Sequence, residues 1–164
     1  MKQGSDEDFA EYFRARARPL RRTAYALTGD WQRAEDLTQA TFLRLYRHWR
    51  RIRRLNIDAY ARRTLTNTFL DERKYQAGSP REVMPDAAGP GPDLDARLDL
   101  AAALARLSPR MRAVIVLRYL EDLSVRETAQ ALGISEGTVK STTNHALAAL
   151  RTRATVHLDG KADA

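Results

Sequence analysis

The sequence predicts an all-α protein, with two small helical domains joined by a flexible linker and a helix-turn-helix in the second domain. Three observations predict it. Apolar residues recur at spacings of three and four, with no convincing period-2 run. Residues 76–95, QAGSPREVMPDAAGPGPDLD, hold four Pro and three Gly and little to bury, so the segment cannot recover its ordering entropy. On both sides of it, Ser, Asp and Gly stand where helices begin and end. The expected division is therefore a domain over 1–75, a linker over 76–95, a domain over 96–158 and a tail over 159–164.

The first helix is expected from Asp6 to Leu27, with Phe9, Phe13, Leu20, Ala24 and Leu27 near one face. Pro19 should kink or interrupt it, because proline lacks the N–H and its ring crowds the preceding turn. Thr28-Gly29-Asp30 makes the stop, with Gly29 a left-handed C-cap. A second helix from Gln32 carries Ala34, Leu37, Thr41, Leu45 and Trp49 on its inner face. Asp58 is the expected cap of a third, Ala59 to Lys74, which turns Leu65, Phe69 and Leu70 inward. Beyond the linker, a helix starts near Asp95 and runs through Leu98, Ala102 and Leu104. Ser108-Pro109 is an N-cap followed by proline in the first turn, opening PRMRAVIVLRYLE. Ser124-Val125-Arg126-Glu127 is a capping box. Gly133 closes that helix, and Ser135 caps the last one, through Val139, Ala146 and Leu150.

Composition narrows the function. Net charge is +7, and 1–75 hold 17 basic against 10 acidic side chains, so the excess lies in the N-terminal half. A basic surface favours polyanions, since each phosphate neutralised releases condensed counterions; a GC-rich genome would also explain why all but four of the 28 basic residues are Arg. With no Cys and only three scattered His, neither disulfides nor a metal site are expected. No apolar run reaches the roughly 20 residues that span a bilayer, so no membrane insertion is expected. The first eight residues lack the apolar core of a signal peptide, which points to the cytoplasm. Acidic residues are dispersed and no Gly-rich phosphate loop is present, so no catalytic residues and no cofactor are assigned.

The most specific local signal is SVRETAQALGISEGTVKSTTNHAL, residues 124–147. It fits a helix-turn-helix: Ala129 is small where the helices cross, Gly133 permits a positive φ, and Ile134 and Val139 pack the turn and second helix. After the cap Ser135, the outer face presents Glu136, Lys140, Thr142, Thr143, Asn144 and His145. These polar side chains can reach base edges and phosphates from a major groove. A ligand-free helical hairpin would share the capping box and the Gly turn; the joint placement of Ala129, Gly133, Ile134 and Val139 favours DNA.

The stretch LSPRMRAVIVLRYLEDLSVRETAQALGISEGTVKS resembles region 4 of sigma-70-type factors. Independently, AEDLTQATFLRLYRHW (Ala34 to Trp49) resembles region 2.2, and DAYARRTLTNTFLDERK (Asp58 to Lys74) resembles regions 2.3 and 2.4. The order, the linker and the absence of an intervening domain match the extracytoplasmic-function group. This resemblance implies a sigma factor. It would bind core RNA polymerase through the β′ clamp helices and the β flap, read the −10 and −35 elements, and help melt the promoter. Double-stranded and melted promoter DNA are then partners, and an anti-sigma factor is a further one.

Carried onto this chain, the resemblance assigns Asp36 and Gln39 to the clamp helices, with Leu37 and Phe42 as apolar anchors there or as core. Asn67 would pocket a base turned out of the −10 duplex, a role suited to an amide that both donates and accepts. Arg62, Arg63, Arg73 and Lys74 are the phosphate contacts beside it, and Tyr60 is either core or a stacking platform. Arg44, Arg47, Arg50, Arg51, Arg53 and Arg54 either guide DNA or form a solvated helix end. Leu107, Val114, Leu117 and Leu120 are core or flap contacts. The −35 set is Ser135, Glu136, Thr138, Lys140, Ser141, Thr142, Asn144 and His145. The family commonly has Arg where Thr142 and His145 stand, which changes the expected base preference, because Arg reads guanine bidentately. The competing readings are an autonomous dimeric helix-turn-helix regulator on a palindromic site and a helical adaptor that contacts only protein.

Overall fold

Helix α1, Lys2–Thr28, continues through Pro19, so of the kink or interruption expected there the interruption does not occur. Pro19 lies on the exposed side of α1, where the carbonyl deprived of its partner can turn to water. Gly29 takes φ +71° and its N–H reaches Tyr25 O at 2.7 Å, the expected left-handed stop. Asp30 then caps α2, Trp31–Ile52, accepting from the N–H groups of Gln32 and Arg33. The computed structural model describes residues 2–53, 55–76 and 94–159, so most of the expected linker 76–95 and nearly all of the tail 159–164 lie outside the described residues.

Helix α3 spans Ile57–Gln76, and its cap is not Asp58. Asn56 Oδ1 accepts from Ala59 N at 3.1 Å, while Asp58 faces α1 and takes hydrogen bonds from Tyr12 at 3.0 Å and Arg16 at 2.6 Å. Asp58 is thus a tertiary tie between α1 and α3. Burial, followed by the Asp58 carboxylate, pushes the Tyr12 phenol above its ordinary range.

In the C-terminal half, α4 is Leu94–Ala105 and α5 is Pro109–Ile115, capped by Ser108 as expected. The helix expected to continue to Glu121 instead widens into a π-turn, Val116–Leu120, in which Glu121 N reaches back to Val116 O at 3.1 Å. Asp122, at φ +54°, completes the exit. Helix α6, Val125–Leu132, carries the complete capping box of Ser124 and Glu127, and Gly133 ends it at φ +65°. Helix α7, Glu136–Asp159, begins at Ser135, whose Oγ accepts from Thr138 N at 3.1 Å. All described elements are helical.

The all-α class is as expected, and the two halves also share a core. Leu27, Leu37, Leu45, Leu65 and Phe69 from α1–α3 pack in one cluster with Leu104, Leu107, Ala113, Val116 and Ala146 from the C-terminal half. A fully buried Leu or Phe contributes about 1.5–3 kcal/mol, so this joint core is a principal source of cohesion between the halves. At its centre Arg112 is only 4 % exposed. Its guanidinium donates to Leu104 O, Leu27 O, Ala105 O and Leu107 O at 2.7–3.1 Å. It therefore ties the carbonyl ends of α1 and α4 together, where the helix dipoles favour a cation. Burial, then the Arg73 and Arg33 cations, lowers its pKa to about 10, so at neutral pH it is charged.

Candidate nucleic-acid interface

The turn between α6 and α7 is built as a DNA-reading element requires. Ile134 N bonds Ala129 O at 3.1 Å, and Val114, Ala129 and Val139 form a small core against Val125, Leu132 and Ile134. That packing fixes α7 on α6 and turns one α7 face outward. Glu136, Lys140, Ser141, Asn144 and His145 are exposed on it, and Thr138 and Thr142 are half-buried at its margin. Ser135 is engaged at the cap, with Oγ 2.8 Å from Thr138 Oγ1. Thr143 is the exception to the expected outer face: it is buried, and its hydroxyl donates to Val139 O at 2.7 Å. At four residues after Val139 it shares that residue's inward face.

A basic surface lies on α2 and α3. Arg44, Arg47, His48, Tyr60, Arg63, Thr64 and Asn67 line one groove. The structure thus brings Asn67, Tyr60 and Arg63 together with two members of the arginine run. Tyr60 is half-buried against the shared core while also lining this groove. Arg63 and Lys74 are exposed; Arg62 and Arg73 are half-buried. Burial, then the Arg33 cation, lowers the Arg73 pKa below the ordinary arginine range, and its guanidinium lies 5.8 Å from the Phe69 ring centroid.

On α2, Asp36 and Gln39 are exposed, with Gln32 Nε2 donating to Asp36 Oδ1 at 3.3 Å. Leu37 and Phe42, expected as anchors for a partner or as core, are core: they are 1 % and 4 % exposed. Phe42 is surrounded by the rings of Phe9, Tyr12 and Phe13, with centroids 4.7–6.4 Å away. The apolar side chains that do face outward here are Leu43, at 51 % exposure, and Phe13, at 45 %. Sequence reasoning missed Leu43, which was legible from helical spacing four residues beyond Gln39, and it grouped Phe13 with Phe9, Leu20, Ala24 and Leu27 on one face of the first helix, whereas Phe13 stands exposed at the edge of the Phe42 ring. Leu107, Val114 and Leu117 are likewise core, whereas Leu120 and its neighbour Tyr119 are exposed on the π-turn. Among the described residues there is no cluster of metal-ligating side chains and no helix long and apolar enough to cross a membrane.

Comparison with known proteins finds two family matches along the chain. Residues 12–78 match the family described as Sigma-70 region 2, and residues 97–150 match Sigma-70, region 4. The RNA polymerase sigma-E factor of Streptomyces avermitilis is 41 % identical over 158 residues, covering 92 % of this chain and 87 % of the relative. The ECF RNA polymerase sigma factor SigL of Mycobacterium tuberculosis is 38 % identical over 149 residues, covering 80 % of each. Among solved structures, the sigma factor RpoE of Bartonella quintana, in complex with the anti-sigma factor NepR, superposes with a TM-score of 0.76. It is 26 % identical, and the match covers 92 % of this chain and 98 % of that one.

Proposed function

This chain belongs to the extracytoplasmic-function group of sigma-70 family RNA polymerase sigma factors, and from that premise we propose how its residues divide the work of directing polymerase to promoters. Residues 1–75 bind core polymerase and the −10 element, residues 96–158 bind the −35 element, and residues 76–95 connect them. A connection of about 20 residues spans at most roughly 70 Å, about two turns of DNA at ~34–36 Å each. Asp36 and Gln39 meet the clamp helices, with Leu43 in place of Leu37 and Phe42 as the apolar contact. Asn67 traps an unstacked base while Arg62, Arg63, Arg73 and Lys74 hold phosphates. On α7, Lys140 and Ser141 position the helix, and Thr142, Asn144 and His145 face bases.

The observation that carries this reading is the groove that places Asn67 among Arg44, Arg47 and Arg63. An amide amid cations suits capture of a base with its backbone. Because bases are caught already flipped, binding itself offsets the cost of melting, and no nucleotide-hydrolysing site is needed. The protein is accordingly not an enzyme; the phosphodiester chemistry is the polymerase's. It acts in the cytoplasm, and an anti-sigma factor is a further partner, supported by the complex in which the similar Bartonella protein was solved.

Run-off transcription with sigma-free core polymerase on a genomic promoter library tests the assignment. Expected are promoter-specific starts that fail with Asn67→Ala and core binding that fails with Asp36→Ala. Protection of a palindromic site by the protein alone, with no gain of initiation by core, would establish an autonomous regulator instead.

A further inference from the structure

We propose that Gly137 is the point of closest approach between this chain and the −35 element, a bare stretch of helix that lets α7 lie deep enough in the major groove for Asn144 to read an adenine. The inference rests on the −35 reading of α7. It begins from a glycine that the fold does not require. Gly29 and Gly133 stand at φ +71° and +65°, where a side chain is strained. Gly137 lies inside α7 without a left-handed φ and is exposed. A Cβ built on it would meet nothing nearer than Ser135 Oγ, at 3.9 Å. Glycine within a helix lowers stability relative to alanine, because it gives up the most backbone freedom on folding. Nothing inside the molecule offsets that loss at Gly137. Gly4, in the first turn of α1, is equally unconstrained but lies on no assigned surface, so the case for Gly137 turns on where it stands.

It stands in the first turn of α7, the part of a recognition helix that meets base edges. Lys140, Ser141 and Asn144 follow at three, four and seven residues, on the same helical face, and all three are exposed. The rotation of that face is fixed from behind. Val139, Thr143 and Ala146 are buried, and Ser135 Oγ holds Thr138 through its N–H at 3.1 Å and its hydroxyl at 2.8 Å. Helix α7 therefore cannot turn Gly137 away from the groove without giving up its own packing.

The need for depth comes from the side chains on this face. From Glu136 to Leu150 the helix carries one cation, Lys140, and no Arg. With each residue advancing about 100°, Ser141 and Asn144 lie on the midline that Gly137 begins, while Lys140 and His145 stand to either side. Thr142 is half-buried at the margin. A long side chain can read a base from a helix held off the groove floor, but the amide of Asn144 begins one methylene from the backbone, so the backbone itself must come close. In the first turn the atom that would set the stand-off is Cβ, and at Gly137 there is none. An asparagine amide pairs through both its donor and its acceptor with adenine N7 and N6, and Asn144 does so from the depth that Gly137 permits.

Gly137→Ala and Gly137→Gln place a small and a long helix-forming side chain at this point, and Gly4→Ala is the control for an exposed glycine off the reading face. Full-length protein assembled with core polymerase is titrated onto a promoter fragment selected from the genomic library, and onto the same fragment with its −35 region scrambled. Expected on the intact fragment is roughly tenfold weaker binding with Gly137→Ala, the size of one lost base contact, and a greater loss with Gly137→Gln. Binding to the scrambled fragment should not change, the melting temperatures of both variants should equal or exceed that of the wild type, and Gly4→Ala should bind as the wild type does. In a selection from fragments randomised over the −35 element, Asn144→Ala should lose a preference for adenine at one position, and Gly137→Gln should lose it at the same position. Wild-type affinity of both Gly137 variants for the intact fragment, an equal loss on the scrambled one, a lowered melting temperature, or an adenine preference that Gly137→Gln keeps overturns the proposal. A wild type that binds intact and scrambled fragments alike removes the −35 reading itself, and the proposal falls with it.

Discussion

Replacing Arg112 by Met keeps the length of the aliphatic stem and deletes the donors that four carbonyls share. Hydrogen bonds to a charged group contribute about 1.5–3 kcal/mol each. The bonds to Leu104 O, Leu27 O and Leu107 O are buried, at 2.8, 2.7 and 3.1 Å, whereas Ala105 O, only partly buried, sits where water can replace the guanidinium. Three buried bonds at the lower figure, less some relief from no longer burying a cation, give a loss of about 3 kcal/mol. For a chain of this size that corresponds to a melting temperature lower by roughly 6–12 °C. Urea denaturation followed by far-UV circular dichroism reads the loss directly, and the midpoint should fall with little change in slope. A loss below about 1 kcal/mol would mean that solvent or rearranged donors satisfy these carbonyls, and that Arg112 does not tie α1 to α4.

Gly133→Ala forces a Cβ into φ +65° where no neighbour lies within 4 Å, so the cost is backbone strain alone, about 1–2 kcal/mol, and Gly133→Asn should recover part of it in the same denaturation assay. The Glu127 carboxyl is held below its ordinary range by the Ser124 N–H and then by the Ser124 hydroxyl. Since its folded value lies below the unfolded one, its contribution is present above about pH 4.5 and is lost as pH falls through the lower folded value. Glu127→Gln should therefore show a shallower acid denaturation limb. Lys140→Ala should weaken −35 binding evenly across sequences and lower the slope of log K against log salt by about 0.9, read by fluorescence anisotropy; an unchanged slope would place Lys140 off the phosphates.

What could be read in the sequence was what is local. Ser108, Ser124 and Ser135 each bond an N–H three residues ahead, and Gly29 and Gly133 take the left-handed conformations their places between helices demand. Asp58 failed as a cap because the choice between Asn56 and Asp58 was made by α1: Tyr12 and Arg16, more than 40 residues away, claim the carboxylate. Leu37 and Phe42 satisfied two readings equally until the aromatic side chains of α1 closed over Phe42. Thr143 was misplaced because a threonine on an otherwise polar helix gives no sign that its hydroxyl bonds its own backbone. The shared core was invisible for a different reason. An amphipathic stripe says that a helix face will be covered, but not which half of the chain will cover it.

The π-turn at Val116–Leu120 gives the length of this segment a meaning that its composition lacks. Each residue of an α-helix advances the chain by about 100°, so one residue accommodated in a wide turn alters the direction in which everything after it points. Here everything after it is the helix-turn-helix, and ahead of it is α5, anchored by Arg112. Removing one residue between Val116 and Leu120 would let a regular helix form with every apolar side chain still present, yet would swing α6 and α7 around the axis of α5. The aim of the reading helix is therefore set by a count of residues, and natural relatives should vary the side chains of this turn more readily than its length.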